Sequence, residues 1–122
     1  MKILIADDST SIRKLIIRLI DTAVKSYDLL ECSDGEQAIL INRSEHPDLI
    51  LMDIKMKKMD GLTATKKIHF EQPGTPILII SQLSEIEFKE ESLKAGATDF
   101  LNKDRLYELP DKLKTFIKGK TL

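Results

Sequence analysis

Short apolar runs alternate along the chain with longer stretches whose apolar positions recur at helical spacing, and the alternation repeats five times. Lys2 to Ala6, Leu29 to Cys32, Leu49 to Met52, Ile77 to Ile80 and Thr98 to Leu101 read as strands. The third is the most telling: Leu49-Ile50-Leu51-Met52 is wholly apolar and runs straight into Asp53. An all-apolar run of this length suits a strand buried on both faces, as in a parallel sheet between helix layers.

The intervening stretches read as helices. Ser9, Thr10 and Ser11 can each start the first by accepting from free backbone N–H groups. Ile12, Leu15, Ile16, Leu19 and Ile20 then mark one face, and the helix runs to about Lys25. Ser33-Asp34-Gly35 is turn chemistry leading into a second helix carrying Ala38, Ile39, Leu40 and Ile41, which His46-Pro47 ends. The third carries Leu62, Ile68 and either Ala64 or Thr65 inward, up to the breaker Gln72-Pro73-Gly74-Thr75-Pro76. The fourth spans Ser84 to Ala95, with Gly96 at the position after its C-cap. The last runs from about Pro110 to Lys118 with Leu113, Phe116 and Ile117, and Leu106 and Leu109 on its approach.

Strand and helix alternating in this way predict an α/β fold, a doubly wound (βα)5 unit with helices on both faces of a five-stranded parallel sheet. A flavodoxin-like order, 2-1-3-4-5, sets the first and third strands side by side at the switch point, where such sheets bind ligands beyond their carboxyl ends. The length of 122 residues fits one domain over 1–122, with no linker, repeat or low-complexity segment and no attached output domain, so the output is expected to be another molecule. A hydrophobic content of 42% and a net charge of −1 describe an ordinary soluble protein and argue against nucleic-acid binding through bulk positive charge. The single cysteine, Cys32, excludes an internal disulfide and reads as a small buried strand residue. The opening apolar run is too short for a signal peptide or a membrane span, so a cytoplasmic location follows by default.

Chemistry collects at one edge. The strands' carboxyl ends carry Asp7 and Asp8, Asp53, Ser81 and, a short step past the fifth, Lys103. Asp53 alone is either a loop-capping acid or the centre of the chemistry. Successive strand residues point to opposite sides, so Asp7 and Asp8 are expected to play unequal roles. Three carboxylates together repel, and a hard divalent cation such as Mg²⁺ relieves that. Lys103 offers a positive charge and Ser81 a hydroxyl to an oxyanion, which favours phosphoryl chemistry over metal storage.

On these residues the chain resembles a response-regulator receiver domain, close to the single-domain chemotaxis (CheY-like) type. The resemblance rests on Asp7-Asp8 followed by Ser9-Thr10-Ser11-Ile12-Arg13, on Pro47 through Asp53 with Met59-Asp60-Gly61, on Pro76 through Ser81, and on Ala95 through Lys103. It implies that Asp53 is the phosphoacceptor of a two-component phosphorelay, attacking the phosphohistidine of a sensor histidine kinase or phosphotransfer protein. It implies Mg²⁺ (or Mn²⁺) held by Asp8, Asp53 and the Lys55 backbone carbonyl, with Asp7 helping directly or through water. It makes Ser81 the switch hydroxyl, Lys103 the phosphoryl contact and Phe100 the switch aromatic, which otherwise reads as a packed core residue. The surface of the fourth helix, fifth strand and fifth helix would then change its preference for a target protein, and a phosphatase is a further expected partner. Such a chain promotes its own phosphorylation and dephosphorylation and is not a turnover enzyme.

Three departures from the family pattern stand near the site. Lys57-Lys58 replaces the usual Pro-Gly and is either a solvated loop or, with Lys55, a basic lip. Gln82 replaces a small residue after Ser81, and its bulk predicts slower exchange and hydrolysis. Asp104 replaces the proline after Lys103, which argues against a cis bond there. Ile86 and Leu93 give the fourth helix a thin inward stripe, fitting a mobile element. Phe88 lies off that stripe and is either an exposed anchor for a partner or packed on a neighbouring loop. Lys112, Lys114, Lys118 and Lys120 give the fifth helix a solvated face. A flavodoxin-like cofactor binder would want an anion loop where Asp7-Asp8 stands, and a haloacid-dehalogenase-type phosphatase would want its nucleophile on the first strand. The closer rival is a pseudo-receiver that acts as a phosphorylation-independent scaffold.

Overall fold

The apolar runs pair as parallel strands because helices cover both faces of the sheet they form. The structure, a computed structural model, describes the backbone of residues 1–121 and the side chains of residues 1–118, so the Lys120 side chain lies outside the described residues. β1 (Lys2–Ala6), β2 (Asp28–Cys32), β3 (Leu49–Met52), β4 (Ile77–Ser81) and β5 (Asp99–Asn102) lie in the order β2-β1-β3-β4-β5, every pairing parallel. Between them come α1 (Thr10–Ala23), α2 (Gly35–Glu45), α3 (Gly61–Glu71) and α4 (Glu85–Lys94), and α5 (Leu109–Thr121) follows β5. This is the flavodoxin-like arrangement expected from the sequence.

Alternation along each strand divides the core in two. Leu4, Ala6, Ile50, Met52, Ile77, Ile79 and Phe100 pack with Ala38 and Ile39 of α2 and Ala64 and Ile68 of α3. Ile3, Ile5, Leu49, Leu51, Leu78, Ile80 and Leu101 pack with Ile16 and Ile20 of α1 and Leu109 and Leu113 of α5. Each of the Leu, Ile, Met and Phe side chains contributes about 1.5–3 kcal/mol on burial, so the central strands are the rigid part of the molecule. No helix among the described residues is long and apolar enough to cross a membrane.

Helix starts follow the local chemistry. Ser9, Asp34 and Asp60 cap α1, α2 and α3, accepting from the N–H groups of Ile12, Gln37 and Thr63. Both Ala64 and Thr65 turn inward on α3. In α2, Ala38 and Ile39 are buried while Leu40 is exposed. α4 ends in a Schellman turn: Gly96 donates to Leu93 O and Ala97 to Ser92 O, with Gly96 at φ 112°. A β-carbon there would also stand 2.3 Å from the His69 ring, so Gly96 fits the C-terminal end of α4 against α3.

Two expectations are corrected and one is borne out. The inward stripe of α4 is not Ile86 and Leu93: Ile86 is 95% exposed and Leu93 43%. Phe88 packs against the core instead, and Ser92 is buried. The reason is that Ser92 donates its hydroxyl to Phe88 O at 2.7 Å, which satisfies it within the helix. A polar residue can therefore take an inward position one turn below Phe88. The final strand ends one residue later than expected, at Asn102, and a 3₁₀ helix from Lys103 to Glu108 fills the approach to α5. Among the described residues there are no cis peptide bonds, so the Lys103–Asp104 bond is trans, as a non-proline at position 104 predicts.

Two tests follow from the packing. Burial pushes the Cys32 thiol up to about 11. The native thiol keeps its proton at pH 8, and a disulfide reagent should react with it only after denaturant is added. Because the folded state holds that proton where the unfolded chain releases it, the Cys32 contribution to stability is present at neutral pH and declines as pH rises toward about 11. Gly61 is a second point of close approach, since a β-carbon there would lie 1.8 Å from the Asp53 carbonyl oxygen. Gly61→Ala should lower the urea midpoint by an amount equivalent to about 1–3 kcal/mol, with an unchanged m-value.

Candidate functional site

The sheet order builds the site. Because β1 pairs with β3, Ala6 lies opposite Met52, and the Asp53 N–H donates to Ala6 O at 2.9 Å. Asp7 and Asp53 thus leave adjacent strands side by side. Asp7 is 1% exposed and Asp53 6%, whereas Asp8 faces solvent, so the two neighbouring acids are unequal as the strand geometry predicts. One carboxylate oxygen from each of Asp7, Asp8 and Asp53 falls within 4.8 Å of the others.

Lys103 reaches this group from the end of β5. Its Nζ stands 2.9 Å from Asp7 Oδ2 and 3.2 Å from Asp53 Oδ2. The ammonium thus bridges the two buried carboxylates, as a hydrogen bond to Asp53 and an ion pair with Asp7. Asp53 Oδ1 accepts from the Ile54 N–H at 2.9 Å, and Asp7 Oδ1 accepts from the Ser9 N–H at 2.8 Å. Burial, with repulsion from Asp7 added to it, pushes Asp53 up to about 6 against the opposing pull of Lys103. For Lys103, burial favours the neutral amine, but the two carboxylates outweigh it and hold the ammonium above the usual lysine range.

A cleft of 420 Å³ opens over these groups, bounded by Asp8, Asp53, Lys55, Ser81, Gln82 and Lys103. Ser81 is buried at the end of β4, and its hydroxyl oxygen accepts from the Leu83 N–H at 3.1 Å, which leaves its own proton to donate. Gln82 is exposed on the rim. Phe100 is 1% exposed and stands inward on β5, the strand against which α4 packs.

The acidic group fits a hard divalent cation on its own chemistry. Its donors are oxygens, and it carries more negative charge than Lys103 alone balances.

The β3–α3 loop borders the cleft. Lys57 forms an isolated parallel bridge with Asp34, and the Gly35 N–H donates to Met59 O at 3.0 Å. Lys55, Lys57 and Lys58 are all exposed, and Lys58 sits at φ 66°. The loop therefore keeps a left-handed residue without the glycine that would hold it at no steric cost. That conformation costs a side-chain-bearing residue about 1–2 kcal/mol.

Sequence reasoning brings Asp7, Asp8, Asp53, Ser81 and Lys103 to one edge, and the structure does the same. Two further residues shape the site through contacts that the motifs do not reveal. Arg13 donates to Asp7 O and pairs with Glu31 at 3.0 Å, tying α1 to the end of β1 and to β2. Asn102 donates to Leu83 O at 3.0 Å and accepts from the Asp104 N–H at 2.8 Å. An asparagine two residues before the first free N–H of a helical turn is a capping signal that could have marked Asn102. Arg13 stands in the motif after Asp7-Asp8, but nothing in the local pattern marks its contacts with Asp7 O and Glu31.

Comparison with known proteins agrees with this geometry. The probable transcriptional regulator ycf27 of Porphyridium aerugineum is 33% identical over 102 residues, covering 84% of this chain and 41% of that protein. Protein-glutamate methylesterase/protein-glutamine glutaminase 4 of Myxococcus xanthus is 36% identical over 113 residues, covering 91% of this chain and 32% of that protein. The chain thus spans less than half the length of these curated relatives. Among solved structures, the Francisella response regulator 1452 receiver domain matches with a TM-score of 0.85 at 29% identity, covering 98% of each chain. The family model of the response regulator receiver domain matches residues 3–114. The chain belongs to the response regulator receiver domain family, the phosphoacceptor modules of two-component signalling.

Proposed function

We propose that the chain accepts a phosphoryl group on Asp53 from the phosphohistidine of a sensor histidine kinase or phosphotransfer protein, and that phosphorylation alters how the α4-β5-α5 face binds a separate target protein. The observation that carries this reading is the convergence of Asp7, Asp8, Asp53 and Lys103 at the carboxyl ends of β1, β3 and β5.

An Asp53 carboxylate oxygen attacks phosphorus in line with the phosphorus–nitrogen bond. That bond breaks, and the imidazole leaves with the electron pair and is protonated from solvent. Asp8 and Asp53, the Lys55 carbonyl, and Asp7 directly or through water would hold Mg²⁺ or Mn²⁺, which when bound neutralises charge on the transferring oxygens. Lys103 exchanges its contact with the Asp53 carboxylate for one with a phosphoryl oxygen, and Ser81 donates its hydroxyl to another. The chain is in this reading a self-modifying phosphoacceptor, and a phosphatase partner would shorten the life of the adduct.

The new group brings roughly −1.5 to −2 charge to the cleft. Ser81 moves toward it, and the β4–α4 loop moves with it. Phe100 already stands inward beneath α4, so its part is to support the displaced helix. Ile86, almost fully exposed on α4, then shifts with the face it belongs to.

Incubation with a small phosphodonor and Mg²⁺ should add one phosphate by intact mass, absent from Asp53→Asn and from samples treated with a chelator. No adduct from either a small donor or a phosphorylated histidine protein would leave a phosphorylation-independent scaffold as the function. Gln82 stands exposed on the cleft rim beside Ser81. Trimming it in Gln82→Ala should shorten the adduct's half-life by about threefold, a change of about 0.7 kcal/mol in barrier. An unchanged half-life would remove Gln82 as a barrier to water.

A further inference from the structure

β4 and β5 place Ser81 directly opposite Asn102. The Asn102 side chain then makes two bonds that lead in different directions. Its Nδ2 donates to Leu83 O at 3.0 Å, in the β4–α4 loop. Its Oδ1 accepts from the Asp104 N–H at 2.8 Å, closing a turn around Lys103 and capping the 3₁₀ helix. Leu83 in turn donates its N–H to the Ser81 hydroxyl oxygen at 3.1 Å. Lys103, inside the turn, bonds Asp53. A continuous chain of contacts thus runs from the Ser81 hydroxyl through Leu83 and Asn102 to Lys103 and Asp53.

From this geometry we infer that Asn102 is a positioning residue that couples the Ser81–Leu83 loop to Lys103, so that the hydroxyl and the ammonium meet an incoming phosphoryl group as one unit. The inference rests on the phosphoacceptor reading only for its role in transfer; the coupling itself belongs to the unmodified protein. Each half of the Asn102 amide has a separate task. The oxygen shapes the turn at Lys103, and that task requires a backbone N–H at position 104. A proline there would have none, so Asp104 and Asn102 form a matched pair. The amide nitrogen holds the Leu83 carbonyl, which fixes the loop carrying the Ser81 partner. If Leu83 drifts, the Ser81 hydroxyl loses the N–H that orients it. If the turn opens, Lys103 loses its approach to the two buried carboxylates.

Two variants separate the tasks. Asn102→Ala removes both bonds. Asn102→Ser keeps a hydroxyl able to accept from the Asp104 N–H but is too short to reach Leu83 O. Amide exchange, measured by NMR on the unphosphorylated protein, reads the coupling without any phosphodonor. The Leu83 amide should exchange about tenfold faster in both variants, the equivalent of one lost hydrogen bond, while amides of β1 and β3 keep wild-type rates. The Asp104 amide should exchange faster in Asn102→Ala alone. In the same variants, Asp53 adduct formation from a small phosphodonor at saturating Mg²⁺ should slow by about fivefold to tenfold. Wild-type exchange at Leu83 in Asn102→Ser would overturn the coupling. A wild-type transfer rate with accelerated exchange would overturn its role in transfer. A wild-type protein that takes no phosphate, yet shows the exchange pattern, would leave the coupling standing and the phosphoacceptor reading refuted.

Discussion

One ammonium group between two buried carboxylates holds the site together. Lys103 has left water to stand between Asp7 and Asp53, and neither acid has enough solvent to carry its charge unaided. Burying such groups costs several kcal/mol each unless partners replace the lost hydration. The arrangement is therefore tolerable only while all three side chains stay in place. It is also unbalanced, since Asp8 adds a further negative charge. The excess negative charge is of the kind a hard divalent cation offsets. The central strands supply the stiffness: β1 and β3 are buried along their lengths and register Asp7 against Asp53 through backbone hydrogen bonds.

That stiffness is also why the site could be read from the sequence. A run such as Leu49-Ile50-Leu51-Met52 has few places to go other than the middle of a parallel sheet, and the residue that follows must stand at its carboxyl edge. Asp53 was legible for that reason, and Asp7, Ser81 and Lys103 for the same reason on their own strands. The strand order completed the picture, because Asp7 and Asp53 meet only if β1 and β3 are neighbours.

What escaped was set by side chains that satisfy themselves in unexpected ways. Pattern reading placed Ile86 and Leu93 inward on α4 because they are apolar and a heptad apart. The helix instead turns Phe88 and Ser92 to the core, since Ser92 spends its hydroxyl on a carbonyl of its own helix. Asn102 escaped because its role depends on a carbonyl from a different loop, Leu83, whose position follows from tertiary packing. The Lys58 backbone could not be foreseen either: a lysine in left-handed conformation is held by neighbouring pairings, Asp34 with Lys57 and Gly35 with Met59, that belong to another part of the chain.

The close fit of Gly96 against His69 has a mechanical consequence. It clamps α4 at its C-terminal end, where the Schellman turn leaves no room for slippage. The opposite end of the helix grows out of the loop that Leu83 shares with Asn102. A rod of about 15 Å fixed at one end and driven at the other pivots rather than slides. If phosphorylation drives the β4–α4 loop as proposed, displacement would increase with distance from the pivot, least at Leu93 beside the clamp and most at Ile86 near the driven tip. Under the proposed switch, the most exposed apolar residue of α4 would be the one with the longest lever arm.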